Sequence, residues 1–284
     1  MRVVLITAVA SVGCLGIAGI IGLSTGLFVP GIGASSGVPV DQRRSAPLAG
    51  LQQITVDTVS ADVRVAVTDG DAVEAWLHGT AASGASADPP RLDVEQVGSS
   101  LRVSVHPQRR FAFDFTWSRL ALDVSIPRAY AQRVSVKSVS GTINTGDAQW
   151  AELALASTSG EIHTGRIRAA RCQVGTVSGA IRLDGVDGDA RLHSTSGEIS
   201  AAFTAPPAAV EATSTSGAVT LRLPSESQFT LDARSTSGDI TCGFPVTLVP
   251  AGRERGHHAV NATVGAGTGR VLVRTVSGAI RVSP

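Results

Sequence analysis

Three carboxylates crowd one short stretch, Asp184-Gly-Val-Asp187-Gly-Asp189. Acids spaced by glycine are the raw material of a calcium loop, which needs about six to eight oxygens and, in the EF-hand pattern, a later glutamate. That set is not completed here, and the stretch reads as a turn between strands. His257-His258 offers imidazole nitrogens, but the only acid close by is Glu254 and a metal site draws on three or four ligands. Glu161, Glu198 and Asp239, with Arg182 and Arg281 two residues past equivalent positions, are the material for a carboxylate pair that cleaves glycosidic bonds. Spacing alone never brings a Ser–His–Asp or Cys–His set together. No catalytic, cofactor-binding or metal-binding residue is therefore assigned. Asn261-Ala-Thr263 is a formal glycosylation sequon, relevant only in a host that glycosylates.

What must position these groups is a repeat. Seven copies of one phrase occur, with glycines Gly141, Gly160, Gly179, Gly197, Gly217, Gly238 and Gly278. The first six are 19, 19, 18, 20 and 21 residues apart, and the last gap is 40. Each copy reads Ser/Thr, Val/Thr, Ser, Gly, a variable residue, then Ile or Val, as in Ser194-Thr-Ser-Gly197-Glu-Ile199. A period near twenty rich in β-formers predicts stacked coils, each burying its apolar side against the next.

Counting the glycine as zero, position +2 is Ile143, Ile162, Ile181, Ile199, Val219, Ile240 and Ile280. Position −5 is Val136, Leu155, Val174, Leu192, Ala212, Ala233 and Val273, and position −7 is Val134, Leu153, Cys172, Ala190, Val210, Leu231 and Val271. Positions −7 and −5 share a strand face, whereas +2 has the opposite parity. The serine–glycine pair must bend the chain for both sets to face one interior, which glycine permits. The fold expected is all-β, a parallel β-solenoid of 18–21-residue coils. Hydroxyls at −3 and −1 are expected to form ladders, and the β-branched residues at −2 to point outward.

On this reading residues 1–29 are a transmembrane anchor, 30–50 a flexible linker, 51–130 an N-terminal β region and cap, and 131–284 the repeat solenoid. Val3 to Val29 is a run of 27 residues without a charge, against about 20 needed to span a bilayer. A cleaved signal peptide ending near Ser36 and lipidation at Cys14 are the alternatives to an uncleaved anchor. Each places the rest outside the cytoplasmic membrane, and an N-inside, C-outside orientation is taken. Residues 30–50 are rich in Gly, Pro, Ser and Ala. In the next region, Thr58-Val-Ser-Ala61-Asp-Val63 is a degenerate copy of the phrase. Arg64–Val67 with Val73–His78, and Arg91–Glu95 with Leu101–Val105, read as two hairpins. Phe111, Phe113, Phe115 and Trp117 put four aromatics on one strand face, read as cap core or as an exposed patch for a partner or glycan. Residues Cys242 to Arg274 read as an expanded coil or a capping hairpin.

Net charge is +1 and the single lysine is Lys137. Without a basic stripe, nucleic acid is excluded as a partner. Three cysteines make no disulfide framework. Cys172 and Cys242 fall on different strands about three coils apart, roughly 14 Å, and are expected to be reduced core residues.

The serine–glycine phrases, the strand ending Val124-Ser-Ile126-Pro127 and the apolar N-terminus together resemble the bacterial putative adhesin family, a domain of unknown function with β-strand repeats, over about residues 51 to 284. The resemblance implies an envelope-associated β-solenoid and carries no catalytic residues. The function expected is a non-enzymatic, membrane-tethered envelope protein that adheres to, or docks, another surface protein, a wall polymer or itself. An envelope-stress sensor or regulatory partner of a membrane protein is the alternative. A polysaccharide-active enzyme is disfavoured. Its acids at +1 lie two or three coils apart, roughly 10–14 Å, against about 5–9.5 Å in glycosidase pairs. An ice-binding face is disfavoured by the irregular residues at −4 (Lys137, Ala156, Gly175, His193, Thr213, Arg234 and Arg274).

Overall fold

The computed structural model describes residues 37–81, 89–106, 119–248 and 258–284. The expected anchor over 1–29, Cys14 and the aromatic run at 111–117 lie outside the described residues. Among the described residues all regular structure is β-strand, and no helix is long and apolar enough to cross a membrane.

The repeat forms rungs, each a strand before the glycine and a strand after it. Every residue at −7 and −5 is buried. At +2 all are buried except Ile240, which is half-buried. Like residues align across rungs, as Ile143, Ile162, Ile181, Ile199 and Val219 do through parallel pairing. Each fully buried aliphatic contributes on the order of 1.5–3 kcal/mol. A third side of the coil adds Trp150, Ile167, Ala169, Val186 and Phe203 to the core.

The bend has a different cause from the one expected. None of the seven repeat glycines has a positive φ, so left-handed backbone freedom is not what selects them. They are selected by close approach. A Cβ on Gly160 would collide with the carbonyl of Gly141, one on Gly179 with that of Gly160, and one on Gly197 with that of Gly179. The serine or threonine at −3 also does something other than build a ladder. Its buried hydroxyl accepts the N–H of its own glycine, at 2.9 Å from Ser138 to Gly141, 2.8 Å from Ser157 to Gly160 and 3.0 Å from Thr176 to Gly179. The side chain thus pairs a backbone donor that the bend removes from the ladder.

Rung order departs from chain order at both ends. The strand Gly269–Thr275 pairs on one side with Ala209–Ser214 and on the other with Phe229–Ser235. Likewise Ile280–Ser283 lies between Val219–Arg222 and Ile240–Cys242. The seventh copy is therefore inserted between the fifth and the sixth, and the long interval is the route by which the chain returns. Its strand His258–Val264 runs antiparallel to Phe229–Ser235, on the side away from Gly269–Thr275, as the capping-hairpin reading requires. At the other end the Ala61 rung lies directly against the Gly141 rung, and Ser100–His106 with Arg119–Pro127 forms a further rung outside it.

Two expectations for the first half need correction. Asp62–Thr68 and Ala72–Ala81 do not form a hairpin, because Arg119–Pro127 lies between them, parallel to the first and antiparallel to the second. Tight hairpin turns use positive φ, and Gly70 has none. Gly98, with φ of 59°, does turn the hairpin of Arg91–Val97 and Ser100–His106. Second, Val38–Pro47, within the expected linker, is an edge strand antiparallel to Ala72–Ala81. The solenoid is thus parallel in its middle and antiparallel at its caps. Pro39, Pro47, Asp41, Arg43 and Arg44 on this outermost strand discourage pairing with another chain. Gln42 ties it to the next cap strand, donating to Pro90 O at 2.7 Å and accepting from Leu92 N at 2.9 Å.

Candidate functional surface

The residues singled out for chemistry are dispersed by the stack. Asp184 meets His163 at 2.9 Å, Asp187 meets Arg168 at 2.6 Å, and Asp189 accepts the Ala209 N–H at 2.8 Å. The three acids hold three separate partners, and among the described residues no group of His, Cys, Asp and Glu could hold a metal ion. Glu161 pairs with Arg182 at 3.1 Å. Glu198 aligns with Ala218, which is followed by Ala279 and only then by Asp239, because of the inserted rung. His257 lies outside the described residues, while His258 is exposed at the start of the strand His258–Val264. Asn261 is opposite Asp232 in the capping strand.

Cys172 is a free, buried thiol whose burial pushes its pKa up to about 12. Cys242, expected in the core, is free but only partly buried, since its strand is the last of its side of the stack. The inserted rung puts the two cysteines four rises apart, roughly 19 Å.

Two surfaces stand out among the described residues. The first is the corner at the bend. Positions −2 and −1 turn outward in every rung, and Val139, Val177 and Val276 are each nearly half exposed. In spatial order the −2 file is Val59, Val139, Thr158, Val177, Thr195, Thr215, Val276 and Thr236. Each successive member is joined to the previous rung by a backbone bond from the following serine, as from Ser178 N to Thr158 O at 2.9 Å and from Ser277 N to Thr215 O at 2.9 Å. Beside it runs an exposed file of serines. The result is a ridge of one β-branched file beside one serine file, with a repeat of roughly 4.7–4.9 Å.

The second surface is the outward face of the strands that precede the bends. Ion pairs cross its rungs: Glu152 meets both Arg133 at 2.9 Å and Arg171 at 2.6 Å, and Arg191 meets Glu211 at 2.9 Å. Their arginines are more than half exposed, so each pair contributes no more than about 1 kcal/mol. This face carries an open groove of about 810 Å³.

A family profile described as Toastrack DUF4097 matches residues 51–189 and 107–283, which together take in most of the chain. The chain belongs to the Toastrack DUF4097 family. No curated protein matches it. Among solved structures, a putative cell adhesion protein from Clostridium sporogenes is similar at 10% identity, covering 87% of this chain and 99% of that one with a TM-score of 0.41. A putative adhesin from Bacteroides fragilis is similar at 14% identity, covering 86% and 97% with a TM-score of 0.42. One from Parabacteroides merdae is at 10% identity, covering 86% and 96% with a TM-score of 0.39.

Sequence reading missed a cluster on the N-terminal cap of this Toastrack chain. Trp76 stacks on His78 with ring centroids 4.1 Å apart, and the Arg43 guanidinium covers Trp76 at 4.4 Å. His78 hydrogen-bonds Asp123 at 3.0 Å, and the Trp76 indole N–H donates to Asp41 at 2.8 Å. With Arg43 and His78 packed on its ring, Trp76 is a cap fastener more than an open sugar platform. No short-range sequence signal announces it, because the partners come from three strands that are distant in sequence.

Proposed function

We propose that this chain is a non-enzymatic docking protein of the cell envelope, tethered through residues 1–29 and presenting its rungs outside the cytoplasmic membrane to a surface protein or wall polymer. The observation that carries this reading is the ridge of exposed β-branched and serine side chains. It is continuous and periodic, as a surface that meets an extended partner along its length should be. Its members are spaced by the backbone ladder and need no further interaction to stay in file. The adhesin-like role expected from the resemblance agrees with this use of the surface.

The test is direct. Val139→Lys, Val177→Lys and Val276→Lys together interrupt the ridge without touching the core. Cells or beads displaying this variant should lose most of their attachment to host envelope fractions while the protein's melting is nearly unchanged. External protease on intact cells should digest the C-terminal part. Recovery in the cytosol, or full attachment by the ridge variant, would refute the reading.

A further inference from the structure

The exposed ridge at the bends has flanks of opposite charge. Position −4 is the last outward residue before the corner, since −5 and −3 on either side of it are buried. On that flank Lys137, His193, Arg274 and Arg234 are exposed, in this spatial order. The one acid there, Asp57, is held by Arg102 at 2.8 Å. Position +1 is the first outward residue after the corner. On that flank Asp62, Glu161, Glu198 and Asp239 are exposed, again in spatial order, and no base stands among them. Arg234 meets Asp232 on its own strand and Glu161 meets Arg182, but among the described residues no ion pair joins the two flanks. The side chains of Lys137, Arg274, Glu198 and Asp239 hold no partner among the described residues. A β-branched file and a serine file with bases along one side and acids along the other form a surface that complements itself.

We propose that the ridge docks a second copy of this chain, side by side and parallel, about a twofold axis that runs along the stack. Such an axis places the −4 flank of each copy beside the +1 flank of the other, rung for rung, so every contact occurs twice. His193 then lies beside Glu198 of the other copy and Arg234 beside its Asp239. Lys137 lies one rung from Asp62 and Glu161, and Arg274 one rung from Asp239. Antiparallel copies would instead set bases against bases and acids against acids. Standing at the rim of the contact, these charges choose the orientation more than they add affinity. In the seam the same axis lays the β-branched file of one copy over the serine file of the other, large against small, at one common spacing. Eight rungs make the ridge about 34 Å long, and the residues from −4 to +1 make it about 15 Å wide. Each copy therefore covers roughly 500 Å² and the pair about 1,000 Å², the size at which specific interfaces begin. The dimer is accordingly weak and forms where copies are concentrated. Parallel copies are what tethering at equivalent ends to one membrane would supply. The assignment rests on the docking reading above and names the partner of that same ridge.

The experiment follows self-association of the full-length chain in detergent by sedimentation. Glu198→Arg with Asp239→Arg makes both flanks basic, and Lys137→Glu with Arg274→Glu makes both acidic. Each variant alone should self-associate at least tenfold more weakly than the parent. An equimolar mixture of the two should associate again, a recovery that misfolded variants could not show. Orientation is read by oxidation of differently tagged copies in a Cys14→Ser, Cys242→Ser background. A Val139→Cys copy should cross-link to a Ser140→Cys copy, at the same rung, and not to a Ser237→Cys copy, at the opposite end of the ridge. A monomer at every concentration, variants that associate like the parent, or cross-linking to the Ser237→Cys copy alone would overturn the assignment. If the chain is monomeric while ridge-dependent attachment to envelope fractions persists, this inference alone falls.

Discussion

The carbonyl oxygen of Gly160 occupies the space that a Cβ on Gly179 would need. The same relation links Gly141 to Ala61, Gly278 to Gly217, and Gly238 to Gly278, so one file of backbone contacts runs through the stack. Replacing Gly179 by Ala should therefore destabilise strongly although its φ suits any residue. A loss of more than about 4 kcal/mol is expected in denaturant titration. Gly179→Val should fail to fold. Ala61 shows where the rule ends: it stands in the outermost rung with a phrase of this kind, and the rung beyond it carries none.

The aliphatic file gives a graded prediction. Ile181 is fully buried, whereas Ile240 sits half-buried in the terminal rung. Ile181→Asp places an unpaired charge in the core and should abolish cooperative folding. Ile240→Asp should leave a folded protein with a lower melting temperature. Equal tolerance of both would contradict the common interior.

Ser194 and Ser196 are neighbours in one phrase with opposite roles. Ser194 is buried and accepts the Gly197 N–H at 2.8 Å, while Ser196 is exposed on the corner. Ser194→Ala strands a buried donor and should cost about 1–3 kcal/mol. Ser196→Ala should stay within about 0.5 kcal/mol. Chemical denaturation of the two variants separates the roles.

Alkali should unfold the chain through buried neutral acids. Burial pushes the Tyr130 phenol up to about 12, outweighing its hydrogen bonds to Arg133 and Ile54. The Cys172 thiol is likewise raised to about 12. A folded pKa above the unfolded one means that the unfolded chain loses its proton first. The stability is therefore intact below about pH 8, where both groups are largely protonated in either state, and is lost as pH rises toward 12. Tyr130→Phe should flatten part of that decline in melting temperature. In native buffer a thiol reagent should modify Cys242 well before Cys172.

Much of this architecture was legible because the repeat writes it many times. Each inward column, such as Val134, Leu153 and Cys172, is fixed by its distance from a glycine, and the structure keeps those distances. The reason for the glycine was not legible, since close approach between rungs is a property of neighbours twenty residues away. Nor was the order of rungs. The phrase at Gly278 has the same local chemistry as the one at Gly238, and nothing local tells which lies beside Gly217. The false hairpin at Asp69-Gly70-Asp71 arose similarly: turn composition was right, but Arg119–Pro127 competes for the same edge.

The inserted rung is the central claim, and a cysteine cross-link tests it most directly. Thr213 and Arg274 are aligned partners on adjacent parallel strands, while Thr213 and Arg234 are separated by the inserted strand. In a Cys242→Ser background, Thr213→Cys with Arg274→Cys should form a disulfide on mild oxidation, because neighbouring strands bring Cα atoms within the roughly 4.4–6.8 Å a bridge needs. Thr213→Cys with Arg234→Cys should remain reduced, being about two strand spacings apart. A bridge in the second pair and none in the first would mean that the rungs stack in chain order, contrary to this account.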